Sequence, residues 1–164
     1  MKTAVVDIDG VLVDCSERLR RCLEESGGRK NEGFWNCFLS PRYMHLDRPV
    51  PQAIELVRQL KRAGYRIVIV TGRRSDTQFE ATTAQLQRFG VPFDEIYMRR
   101  PNDRRKDAEY KAEIVLRLIK KGYEVKLVID DSEAVCRKLS EILPRAKIMR
   151  FEKKEARAPN QLTL

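Results

Sequence analysis

The reading of the fold turns on Val5-Val6-Asp7-Ile8-Asp9-Gly10. Ala4-Val5-Val6 opens like a buried strand, and two aspartates two residues apart come directly after it. In an extended segment, side chains at i and i+2 point to the same face. Two carboxylates are therefore aimed at one place beside a core. That is unfavourable unless a cation stands between them.

Four more short apolar runs, 66–71, 94–98, 125–130 and 146–151, share the strand character of 3–7. Ile67-Val68-Ile69-Val70 is continuous and β-branched, as expected of a central parallel strand covered on both faces. Helical periods lie between the runs. Ala53, Ile54, Val57 and Leu60 form one stripe, ended by Gly64. Residues 75–89 form a second, with Ser75 expected as N-cap and Gly90-Val91-Pro92 as the stop. A third, 107–121, is expected to be capped by Asp107 and closed by Gly122; a fourth, 132–143, is entered at Ser132 and ended by Pro144. This alternation predicts an α/β fold: a doubly wound, five-stranded parallel sheet formed by residues 1–151 as a single domain. Such sheets carry their chemistry at the carboxyl ends of the strands, near a topological switch point.

Two segments stand outside the alternation. Residues 27–49, rich in Gly, Asn and Pro, are expected to form an irregular insert near the site. They hold Trp35 beside Phe34 and Phe38, which either stack on a nucleobase or pack the insert onto the sheet, the simpler reading. The tail 152–164 is basic, has no apolar face and is expected to fray.

The bulk numbers bound the rest. Lys and Arg number 33 against 24 Asp and Glu, a formal net charge of +9. Such a surplus suits an anionic partner such as nucleic acid; it equally suits a heat-stable surface laced with ion pairs. The sequence has no apolar run long enough to span a membrane, and its start lacks a signal-peptide pattern. A cytoplasmic protein without membrane association is expected. Cys15, Cys22, Cys37 and Cys136 show no zinc spacing. On a helix over 16–26, Cys15 and Cys22 lie about 10 Å apart along the axis, too far for a disulfide. Free thiols are expected. His45 is assigned no role.

Each of the first four strands runs into a cluster of functional side chains. After the first come Asp7, Ile8, Asp9 and Gly10, and after the second Thr71-Gly72-Arg73-Arg74. The third leads into Arg99-Arg100-Pro101-Asn102-Asp103-Arg104-Arg105-Lys106, and the fourth into Asp130-Asp131-Ser132. These are parts for holding a phosphate and a magnesium ion together. Magnesium takes oxygen ligands from one or two carboxylates, completed by water and phosphate, and Asp7 with Asp130 or Asp131 would supply them. A carboxylate beside such a metal can attack phosphorus, and a second can move the proton. The Thr71 hydroxyl and the Gly72 N–H suit phosphoryl oxygens. Lys111 lies on the same helical stripe as Val115 and Leu118, which aims it at the sheet as the balancing cation.

These residues, in this order, resemble the haloacid dehalogenase (HAD) superfamily of magnesium-dependent phosphotransferases. The resemblance implies that Asp7 is the nucleophile and Asp9 the general acid/base. It implies that Thr71 is the second-motif hydroxyl, Lys111 the third-motif lysine and Asp130-Asp131 the fourth-motif carboxylates. The implied metal ligands are Asp7, the backbone carbonyl of Asp9, Asp130 and Asp131. "VTGRR", "RRPNDRRKDAEYKAEIVLRLI" and "VIDDSEAV" are further similar to the phosphatase domain of phage-type polynucleotide kinase–phosphatases. That likeness implies removal of a terminal 3′-phosphate from nucleic acid or a nucleotide, with Gly72, Arg73, Arg104 and Arg105 at the substrate. No GxxxxGK[ST] loop occurs in the 164 residues, so 5′-kinase activity is not expected of them, and a separate kinase or ligase partner is left open. Neither 13–49 nor 99–106 is long enough for a cap domain of its own, which predicts an open site suited to a polymer end. The alternatives are a phosphatase for mononucleotides or other small phosphoesters, and a non-catalytic nucleic-acid-binding module.

Overall fold

The computed structural model of the protein describes residues 1–152, so the tail expected over 152–164 lies almost wholly outside the described residues. Five strands, β1 (Lys2–Val6), β4 (Arg66–Arg74), β5 (Glu95–Arg99), β6 (Glu124–Asp130) and β7 (Lys147–Arg150), form one parallel sheet in the order β5-β4-β1-β6-β7. A two-residue antiparallel ladder, β2 (Val13–Asp14) with β3 (Arg48–Pro49), lies apart from it. The helices are α1 (Ser16–Glu25), α2 (Glu32–Phe38), α3 (Pro51–Arg62), α4 (Ser75–Arg88), α5 (Asp107–Lys120) and α6 (Glu133–Ile142). The chain adds β4 and β5 on one side of β1, then crosses to β6 and β7 on the other. The switch point thus falls at β1, the strand that delivers Asp7.

Both faces of the sheet are covered. Ala4, Val6, Ile67, Ile69, Leu127 and Ile129 pack with Ala53, Ile54 and Val57 of α3 and Leu86 of α4. The intervening Val5, Val68, Val70 and Val128 pack on the opposite face with Val115 and Leu118 of α5 and Val135 and Leu139 of α6. This is why the central strands read as unbroken apolar runs. Each buried Val, Leu or Ile among them contributes about 1.5–3 kcal/mol by leaving water.

Helix starts differ from expectation at two places. Ser75 and Asp107 are the first helical residues rather than caps; Arg74 and Lys106 hold the cap positions without side-chain cap bonds. Ser132 does cap α6, its hydroxyl accepting from the Val135 N–H. β4 also runs past Thr71 to Arg74, with an irregularity in its pairing to β5 between those residues.

Residues 27–49 are more ordered than their Gly/Pro punctuation suggests. They contain α2, N-capped by Asn31, a 3-10 turn at Met44–Leu46, and β3. Phe34 and Phe38 pack α2 onto α1, rather than packing the insert onto the sheet, in a satellite cluster with Cys22, Leu19 and Tyr43. Cys22 and Cys37 form a disulfide with Cα atoms 5.6 Å apart, which corrects the expectation of four free thiols. The reason is tertiary: spacing on one helix rules out Cys15–Cys22, but α2 docks on α1 and places Cys37 beside Cys22. Cys15 and Cys136 are free.

Candidate active site

Asp7 leaves the end of β1, where its N–H still donates to the Ile129 carbonyl at 3.0 Å and so continues the ladder into the site. Its carboxylate Oδ1 accepts from the Ile8 N–H at 2.8 Å. The chain then turns at once: the N–H groups of Leu12 and Val13 both donate to the Ile8 carbonyl. Gly10 makes this turn possible at φ +85°, and a Cβ there would overlap the Asp131 carboxylate. Any other residue would collide with an acidic group of the site itself.

Asp130, the last residue of β6, and Asp131 come up beside Asp7. One oxygen from each of the three lies within 4.8 Å of the others. Lys111, from the second turn of α5, is buried and closes this group, with Nζ 2.7 Å from Asp130 Oδ2 and 3.1 Å from Asp7 Oδ1. Burial lowers the lysine's proton affinity, but Asp7 and Asp130 outweigh it and hold the ammonium charged. Asp7 is pushed well above the usual carboxylate range by burial; Asp130, Asp131 and Asp9 add to this, and Lys111 opposes it. Burial and Asp130 likewise raise Asp131. The donor set is all oxygen and anionic, and one ammonium leaves it short of positive charge. It therefore suits a hard divalent cation.

Asp9 faces a different environment. Arg73 donates from Nε to Oδ2 at 3.1 Å and from Nη2 to Oδ1 at 2.7 Å, a two-pronged grip. Arg18 of α1 donates from Nη2 to the same Oδ1 at 2.6 Å. Burial works to raise Asp9, yet the two guanidiniums hold it down at about 2. Neither arginine is loose. Arg73 Nη1 also donates to Thr82 Oγ1 and Gln85 Oε1, and Arg18 Nη1 to the Phe38 carbonyl. Asp47, buried just before β3, pairs with Arg18 Nε at 3.2 Å and Arg73 Nη2 at 3.4 Å. Burial raises Asp47 despite the opposing effect of Arg18, Gln85 and Arg73.

The structure thus brings Asp7, Asp9, Lys111, Asp130, Asp131 and the Thr71-Gly72-Arg73 turn to one sheet edge. The Thr71 hydroxyl accepts from the Arg73 N–H at 3.1 Å and keeps its own proton for another acceptor. A Cβ on Gly72 would lie 3.0 Å from the Asp107 carboxylate, so the start of α5 is packed against this turn. The basic loop after β5 is held by its own residues and by residues of α5. Arg99 donates to the Asp103 and Arg105 carbonyls and to the Asp107 carboxylate, and its guanidinium stacks on the Tyr110 ring. Arg105 is engaged by Asp103 and Glu113. Arg104 is exposed and forms no ion pair among the described residues.

Arg18 and Asp47 escape a motif-based reading. Arg18 nonetheless carries a signal: it stands four residues before Cys22 on the buried stripe of α1, as Lys111 stands four before Val115 on α5. A charge on a buried stripe needs a partner. Asp47, in an irregular stretch, has no periodicity to betray it.

A family model described as the polynucleotide kinase PNKP phosphatase domain matches residues 37–143, nearly two thirds of the chain. The chain belongs to this family. It is a HAD-type phosphatase domain, and its fold recurs in solved structures. It is similar to a chain of a Pnkp1/Rnl/Hen1 RNA repair complex, with TM-score 0.72 and 22% identity over 94% of this chain and 43% of that one. It is also similar to a haloacid dehalogenase-like hydrolase from Streptococcus pneumoniae, with TM-score 0.60 and 19% identity over 85% and 80% of the two chains. A class C acid phosphatase from Bacillus anthracis gives TM-score 0.63 and 17% identity over 92% and 66%. The chain spans less than half the length of the repair-complex chains it matches. Among the described residues no helix is long and apolar enough to cross a membrane.

Proposed function

We propose that this chain is a magnesium-dependent phosphatase that works through an aspartyl-phosphate on Asp7 and removes terminal 3′-phosphates from nucleic acid or nucleotides. The observation that carries the reading is the division of the acidic groups. Asp7, Asp130 and Asp131 converge on one place with Lys111 between two of them, while Asp9 is held apart by two arginines. When bound, magnesium would be held by Asp7, Asp130, Asp131 and the Asp9 carbonyl, and would supply the positive charge that keeps Asp7 an anion and polarises the phosphoryl group.

A carboxylate oxygen of Asp7 attacks phosphorus, and the bond from phosphorus to the ester oxygen breaks. The leaving oxygen takes a proton from Asp9. Water, losing its proton to Asp9, then attacks phosphorus, the bond from Asp7 to phosphorus breaks, and inorganic phosphate departs. At rest Asp9 is an anion, which is the base form. Its acid role requires the guanidinium charge to be shared with an incoming phosphate, and the adjacency of Arg73 to the Thr71-Gly72 turn supports that sharing. We assign contact with the rest of the substrate to Arg104, which is exposed and forms no ion pair among the described residues, whereas Arg105 is engaged by Asp103 and by Glu113 of α5. The association of a structural neighbour with an RNA repair complex supports a nucleic-acid end as substrate, and a repair setting with a separate kinase or ligase partner.

The test is phosphate release from a 3′-phosphorylated oligonucleotide in magnesium. The expected outcome is full loss with EDTA and loss of at least about a thousandfold in kcat for Asp7→Asn, the scale of removing a catalytic nucleophile. Metal-independent release, or an active Asp7→Asn, overturns the reading. A kcat/KM that favours a nucleoside monophosphate over the oligonucleotide moves the substrate to the small-phosphoester class.

A further inference from the structure

Trp35 is the chain's single tryptophan, and it is 43% exposed on α2. Its neighbours explain why α2 exists but not why Trp35 is there. Phe34 is buried and Phe38 half-buried; their rings stack at 5.4 Å with 13° between planes, and together they seat the helix on α1. The Trp35 ring is roughly perpendicular to both, at 76° and 79° with centroids 4.9 and 6.3 Å away, and stands outside the cluster of buried side chains that joins α2 to α1.

The helix beneath it is held far more firmly than seven residues achieve alone. The Cys22–Cys37 disulfide ties it to α1, and the Asn31 side chain caps it. Thr77 Oγ1, at the start of α4, donates to the Leu39 carbonyl at 2.6 Å. Arg18 fixes its end: one nitrogen donates to the Phe38 carbonyl, the guanidinium carbon lies 4.5 Å from the centre of the Phe38 ring, and another nitrogen grips Asp9. The Trp35 ring thus meets Phe38, Phe38 meets Arg18, and Arg18 holds the side chain proposed to protonate the leaving nucleoside. The exposed Arg21, Arg29 and Lys30, on α1 and the α1–α2 turn, form no ion pair among the described residues.

We infer that Trp35 and its α2 helix are a stacking platform for an unpaired base of a single-stranded polynucleotide end, close to the nucleotide whose phosphate is removed. The inference rests on the proposed nucleic-acid substrate and deepens it. A firmly seated, exposed indole on a helix whose buried Phe34 carries Lys30 over its ring, with Arg21 over the ring of Tyr43 in the same cluster, fits a base with its phosphodiester chain, and stacking of this kind accepts any base sequence. An occupant made of protein would need a wider exposed apolar surface, and the other exposed residues of α2 are Glu32, Gly33 and Asn36.

Since no other tryptophan contributes, intrinsic fluorescence reads the platform directly. The full chain, as the Asp7→Asn variant to prevent turnover, is titrated with a single-stranded oligonucleotide. In parallel, Trp35→Ala and Trp35→Phe are assayed on a 3′-phosphorylated oligonucleotide and on a small aryl phosphate. Saturable quenching is expected. Trp35→Ala should raise KM on the oligonucleotide roughly 5- to 100-fold more than on the aryl phosphate, the range of one lost stack, with Trp35→Phe restoring most of it. Unquenched fluorescence together with equal effects on both substrates overturns the inference. Unquenched fluorescence with a dimer that dissociates in Trp35→Ala also overturns it and assigns the patch to a second copy of the chain. Quenching without any phosphate release from the oligonucleotide by the wild type leaves the platform standing and defeats the proposed reaction, so the two failures are separable.

Discussion

Two aspartates two residues apart, Asp7 and Asp9, are given opposite electrostatic environments. Asp7 is raised by burial and by its acidic neighbours, whereas Asp9 is held at about 2 by Arg73 and Arg18 in spite of burial. Folding therefore depends on pH through Asp9. Its folded value lies below the ordinary carboxylate value near 4, so its ion pairs stabilise fully above that value, and the contribution is lost as pH falls through about 2. A shift of this size is worth about 2 kcal/mol. Urea unfolding of the wild type between about pH 5 and pH 2 should show this loss, and Asp9→Asn should remove that component of the slope. Equal slopes in the two proteins would contradict the assignment. Arg18→Ala leaves Asp47 buried with weaker support and should cost about 3–5 kcal/mol.

At the scale of elements, α2 depends on a covalent tie more than the sheet helices do. It has seven residues and packs its buried side chains on α1, with only polar contacts from the start of α4 at its end, so the cross-link between Cys22 and Cys37 carries much of its order. Closing a 15-residue separation contributes about 3 kcal/mol in the chain-entropy view. Cys22→Ser with Cys37→Ser should lower unfolding free energy by that order, and should make a reducing agent without further effect; an unchanged midpoint on reduction of the wild type would count against it. This element also marks where sequence reading stops. The five sheet strands and the helices that cover them were legible because a buried β-branched run and a 3.6-residue stripe are local patterns. Lys111 was legible for the same reason, as a charge on an apolar stripe. The docking of α2 on α1, the disulfide and the Asp47 contacts join residues far apart in the chain with no shared period, and only the tertiary fold brings them together. The cap positions of α4 and α5 slipped by one residue because Ser75 and Asp107 are equally acceptable just inside a helix, where an acidic or small polar group meets the positive end of the dipole.

Over the whole molecule, the net charge of +9 is less informative than where it is unneutralised. Many surface arginines are paired, as Arg105 is with Asp103 and Glu113 and Arg74 with Asp76. Exposed pairs like these contribute little stability but they cancel local field. Arg104, in the loop between β5 and α5, forms no such pair among the described residues. Arg104→Gln should therefore raise KM on a 3′-phosphorylated oligonucleotide more than Arg105→Gln does, and should flatten the dependence of log KM on log salt by about one charge's worth. The same variant should have little effect on a small aryl phosphate. Equal effects of the two substitutions, or on the two substrates, would show that the loop acts only through its general charge.

The central claim is that the carboxylate at the end of the middle strand becomes phosphorylated, and it can be read without any inference from rates. The protein is mixed with a 3′-phosphorylated oligonucleotide and magnesium, quenched in acid within the first turnover, and its peptides are mapped by mass spectrometry. The account predicts a phosphate on the peptide that contains Asp7, sensitive to hydroxylamine and absent from Asp7→Asn. Turnover with no phosphorylated peptide, or with phosphate on another side chain, would contradict it.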